Sequence, residues 1–199
     1  MSLLADSFDD EVDAVVKALE RVKAHRTVIS AMNQHFRNFK IQFHGFYVLL
    51  KLIELSPITK LELQGQAEAQ SVRYILRVMA KYTDRTCQVI GCKIISMLCT
   101  SPRTRRDAVA KGAVDSVLFA MSQFGEDDEL YVPAFEALCL LLRDDPKAQD
   151  RFMAMDVKNS RKKAYRMVVE IMESHKTLGK FVLPLFVLSY VFSERIFSV

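Results

Sequence analysis

Four cysteines, four histidines and a set of regularly spaced cations are the side chains through which this 199-residue chain could do chemistry. Cys87, Cys92, Cys99 and Cys139 contain no CxxC pair and no histidine at ligand spacing, so they read as small buried thiols rather than a zinc site or a disulfide framework. His25, His35, His44 and His175 are scattered, and no H-E-x-x-H, phosphate loop or nucleophile elbow is present. Glu170 and Glu173 form a carboxylate pair at helical spacing, which on an amphipathic helix reads as surface charge. These residues predict no enzyme, no cofactor and no metal.

The cations are patterned differently. Arg73, Arg77 and Lys81 are spaced by four and so share one stripe of a helix. Lys162 and Arg166 repeat that spacing, with Lys163 adjacent. Between them falls a segment offering Asp115, Phe119, Ser122 and Gln123 at its non-core positions. Such an array could hold an acidic or phosphorylated peptide segment by charge-assisted hydrogen bonds. Two further clusters, Arg103-Arg105-Arg106 and Lys158-Arg161-Lys162-Lys163, could touch phosphate in nucleic acid or anionic lipid. Neither is interleaved with aromatics that would stack on bases.

Elements must position these groups, and the periodicity is helical throughout. Val12, Val15, Val16, Leu19 and Val22 mark one or two N-terminal helices over 11–32, with an acidic first turn. Phe46, Leu49, Leu52 and Ile53 mark an apolar helix closed by Pro57, and Val72, Ile75, Leu76 and Met79 mark a second over about 67–82. Residues 83–100 repeat the first pattern up to Pro102. A basic turn is expected there, with Gly112 bending the backbone into a helix carrying Val114, Val117, Leu118 and Met121. Residues 130–142 are apolar again before Pro146, 158–174 are amphipathic, and the apolar run 181–192 is too short to cross a bilayer. No stretch alternates with period two, so the fold class is all-α.

The pattern repeats. Pro57, Pro102 and Pro146 fall 45 and 44 residues apart. Four, five and eight residues before them lie Ile53, Leu52 and Leu49, then Leu98, Met97 and Ile94, then Leu142, Leu141 and Leu138. Leu63, Ala108 and Phe152 stand six residues after them. Gly45, Gly91 and Pro133 are expected as helix breakers ahead of each apolar helix. A period of 40 to 47 residues with two or three helices is the HEAT and armadillo range. Ala108-Val109-Ala110-Lys111-Gly112-Ala113-Val114 resembles the armadillo I-V-x-x-G-A-I segment, and Leu138 to Leu142 is similar to its A-L-x-x-L helix.

The resemblance implies a right-handed α-solenoid of about four armadillo-like repeats. Its expected divisions are an N-terminal cap over 1–23 and repeats over 24–66, 67–111, 112–155 and 156–199. It also implies a protein-interaction scaffold or adaptor that takes a peptide or partner helix along a third-helix groove. In this register the groove residues are Arg73, Arg77, Lys81, Asp115, Phe119, Ser122, Lys162 and Arg166. The chain has no Trp and its three Asn (Asn33, Asn38, Asn159) form no ladder on those helices, unlike the importin-alpha grooves that grip basic peptides. Binding of nucleic acid or anionic membrane through the basic clusters is the alternative. Self-association through the apolar C-terminal repeat is a further expectation. With an acidic N-terminus, no secretory signal and a formal charge of +4, the expected setting is cytoplasmic, with the nucleus also open.

Overall fold

The computed structural model describes residues 2–65, 70–156 and 163–174, with side chains from residue 12 onward. Among the described residues every regular element is an α-helix, and the extended pairing is an isolated antiparallel bridge between Asp156 and Lys163. The chain divides into two units, residues 1–71 and 72–199.

The first unit holds α1 (Ser2–Arg21), α2 (Ala24–Gln34), α3 (Phe39–Leu55) and α4 (Pro57–Gln64). The N-terminal helix begins at Ser2, so the acidic residues from Asp6 to Asp13 lie inside it rather than in its first turn. Lys23, in the left-handed region at φ 50°, separates α1 from α2. α3 packs on α2 and α4 around Met32, Phe46, Leu49 and Ile53, all at most 2 % exposed. Ser56 accepts a hydrogen bond from the Thr59 amide and caps α4, and its own hydroxyl donates to Glu20 of α1 at 2.5 Å. His25, buried in α2, lies 3.2 Å from the Glu62 carboxylate of α4, which also faces Lys23 at 3.7 Å.

The second unit holds α5 (Gln70–Lys81, entering at Val72), α6 (Arg85–Leu98), α7 (Pro102–Ala110), α8 (Ala113–Phe124), α9 (Asp128–Leu142), α10 (Pro146–Ala154) and α11 (Ala164–Ser174). α9 is its centre, packed along α6 and α8 and touched by α7 and α10. Of the nine periodic apolar residues before the prolines, eight are buried and Met97 is half-buried, while Leu63, Ala108 and Phe152 are all buried.

Two expectations need correcting. The basic turn after Pro102 is a helix. Pro57, Pro102 and Pro146 each occupy the first helical position of a short helix, where a missing N–H costs nothing. Ser101 and Thr104 complete a capping box around the second of these. Gly45, Gly91 and Pro133, in turn, interrupt nothing, for they lie inside α3, α6 and α9. The two glycines are sites of close approach. A Cβ on Gly45 would fall 2.4 Å from Met32 Cγ, and one on Gly91 would fall 2.5 Å from Met79 Sδ. Gly112 does make the expected bend, at φ 86°, a conformation that a side chain resists.

A finer repeat underlies α3, α6 and α9. Asn38, Asp84 and Asp127 are their N-caps, each accepting a backbone N–H through a side-chain oxygen. Four residues on, Gln42 Nε2 donates to the Met32 and His35 carbonyls, and Gln88 Nε2 donates to those of Met79 and Tyr82. These amides satisfy carbonyls that the preceding helix leaves unpaired at its C-terminus. In the third copy this position is Tyr131, buried and tilted against Phe135 at 4.6 Å between ring centres.

Candidate protein-interaction surface

α5 is sharply amphipathic. Val72, Tyr74, Ile75, Leu76, Val78 and Met79 are buried, while Arg73, Arg77 and Lys81 are exposed on one stripe. The expected cationic row is therefore held at the surface by a fully committed apolar face.

On α8 the expected residues divide. Asp115 is exposed in the first turn, where its charge suits the helix N-terminus. Phe119 and Ser122 are half-buried, and Ser122 Oγ donates to the Phe119 carbonyl at 2.7 Å. α8 and α11 touch, and between them opens a cleft of about 640 Å³. Its floor carries Met121, Phe124, Met167 and Ile171, and its polar rim carries Ser122, Gln123, Glu126, Asp127 and Glu170. Ser122 is the expected site residue that lines it. Arg166 is exposed on α11 and lies against its neighbour Tyr165, 5.9 Å from the ring centre.

Lys162 lies outside the described residues, as does most of the basic run from Lys158 to Lys163. Lys163 itself is engaged, pairing with Asp156 at 2.8 Å and donating to the Ala154 carbonyl. The C-terminal apolar segment expected to self-associate also falls outside the description.

The basic cluster at Arg103–Arg106 is not a uniform patch. Arg105 is buried, donates to the Thr100 carbonyl at 3.0 Å and pairs with Asp144 at 3.2 Å, so it ties α7 to the end of α9. Arg103 and Arg106 remain exposed. A comparable link joins Arg85 at the start of α6 to Asp127 and Glu129 at the start of α9. Asp127 is held below the usual carboxylate range by its hydrogen bond from Arg85.

All four thiols are buried and free. Burial raises Cys87 to about 11 and Cys92, Cys99 and Cys139 to about 12, which keeps them protonated and unreactive near neutrality. Among the described residues no group of His, Cys, Asp and Glu could hold a metal ion, and no helix is long and apolar enough to cross a membrane.

Sequence periodicity identified the α5 stripe and missed the carboxylate rim. Only the approach of α11 makes Glu126 and Asp127 part of a cleft with Glu170. Repeated helix triplets, buried apolar helix faces and exposed charged stripes define an all-α helical-repeat protein of the α-solenoid class, whose members generally serve as protein-interaction scaffolds.

The particular lineage follows from comparison with known families. The LRRK2 ARM repeat family matches residues 6–182, and the chain belongs to that family. No curated protein and no solved structure gives a significant match.

Proposed function

We propose that the chain is a non-catalytic scaffold whose partner is an acidic or phosphorylated segment gripped by the cationic stripe of α5. The supporting observation is that Arg73, Arg77 and Lys81 lie in one exposed row while Val72, Tyr74, Ile75, Leu76, Val78 and Met79 of the same helix are buried. Successive cations four residues apart lie about 6 Å along a helix axis, close to the reach of neighbouring acidic or phosphate groups on an extended segment. Asp115, Phe119 and Ser122 on α8, with Arg166 on α11, would extend the partner face with fewer cations.

A nucleic-acid or membrane-surface role has weaker support, because Arg105 and Lys163 spend their charge on internal pairs. The four protonated thiols suit a reducing intracellular setting, cytoplasmic or nuclear.

The reading is tested by capturing partners from cell extract on the immobilised wild-type chain and on Arg73→Ala/Arg77→Ala. Partners that elute with rising salt from the wild type and are lost from the variant support it. An identical partner set and identical salt elution from both would overturn it.

A further inference from the structure

The repeat register exposes an anomaly in the first unit. Leu55, Ile58 and Leu61 stand two residues before, one after and four after Pro57, and they are 52 %, 54 % and 67 % exposed. The same positions around Pro102 hold Thr100, Arg103 and Arg106, and around Pro146 they hold Asp144, Lys147 and Asp150. All of these are exposed as well. Exposure is thus a property of the position, while apolar character is peculiar to the first copy. A fourth position agrees. Tyr47, nine residues after the N-cap of α3, is 52 % exposed, where α6 has Lys93 and α9 has Glu136.

Scattered apolar side chains at a surface need no explanation, but a run of them replacing polar and charged residues at solvent-facing register positions does. Leu55, Ile58 and Leu61 follow one another across the α3–α4 corner, and Val48 continues the apolar row along α3 with Tyr47.

We infer that this corner is a self-association surface, occupied by the same corner of a second copy of the chain. The charges around it argue for that occupant. Lys51 and Glu54 lie side by side on the exposed face of α3, hydrogen-bonded at 2.7 Å, with Tyr47 5.9 Å from the Lys51 ammonium. A two-fold contact brings a surface against itself, so a rim of one sign would repel its copy, whereas a rim of balanced sign can place each lysine against a glutamate of the other copy. The apolar centre supplies the driving force, and the alternating rim sets the register. These residues are other than those of the α5 stripe, and the inference does not depend on that stripe's role.

The test is sedimentation velocity of the full chain from 1 to 200 µM, comparing wild type with Ile58→Arg/Leu61→Arg. The two arginines are the residues that the second repeat carries at these positions, Arg103 and Arg106, so the variant should keep its helical circular dichroism and melting temperature. Expected is a wild type that shifts from monomer to dimer across the range and a variant at least tenfold weaker in self-association. Lys51→Glu should weaken the dimer, and Lys51→Glu/Glu54→Lys should recover it. A wild type that stays monomeric, or a dimer indifferent to the double arginine substitution, overturns the inference. The second outcome would point to another surface, including the C-terminal one.

Discussion

Gln88 shows how much a single buried amide can hold. Its Nε2 donates to the carbonyls of Met79 and Tyr82, the orphaned end of α5, so the helix that presents the cationic stripe is fixed by a side chain of the next helix. Gln88→Leu leaves both carbonyls without that donor in the interior and is expected to cost about 2 kcal/mol, read from urea unfolding. Gln42 plays the same part for α2. The thiols give a second test at this scale. Because burial raises their pKa values in the folded chain, native protein should show essentially no reaction with an aromatic disulfide reagent at pH 7.5, and four thiols should react after denaturation. The sign for stability follows. The folded state retains thiol protons that the unfolded chain releases above about pH 9, so stability is full below that value and falls as pH rises toward 11–12. A melting temperature that climbed over this window would contradict it.

Helices and their ends set the next scale. α3, α6 and α9 each start at an Asn or Asp cap, and α4, α7 and α10 each start at a proline behind a Ser or Asp cap. Asp84→Ala should remove the acceptor for two amides at the start of α6 and lower stability by about 1 kcal/mol. Gly112→Ala should cost a similar amount, about 1 kcal/mol, since its φ of 86° is retained by the packing of α7 and α8. Much of this level was legible beforehand. The proline spacing and the residues at fixed offsets from it identified the core, because burial on one helix face leaves a strict period. Helix ends were not legible to the same degree. A proline serves equally as the stop of one helix or the first residue of another, and here Ser56, Ser101 and Asp145 decide for the second. The glycines misled for a related reason. In a buried helix, Gly91 marks the passage of Met79 rather than a break, and that requires knowing what lies across from it.

For the whole molecule, the proposed function rests on surfaces. The α5 stripe could be read from the sequence because a fully apolar face leaves its complement to solvent. The cleft between α8 and α11 could not, since it unites Glu126 with Glu170 through contacts remote in sequence. The apolar corner at Leu55, Ile58 and Leu61 emerged only when exposure was compared between register-equivalent positions. Membership of the LRRK2 ARM repeat family gives the class of function, a helical-repeat scaffold, and the cationic stripe gives the chemistry proposed for its partner. The most direct test is fluorescence anisotropy with a labelled twelve-residue peptide of glutamate and phosphoserine, titrated with wild type and with Arg73→Ala/Arg77→Ala at 50 and 200 mM salt. The account predicts saturable binding that weakens with salt and falls at least tenfold in the variant. Equal affinity for the two proteins, unchanged by salt, would contradict it.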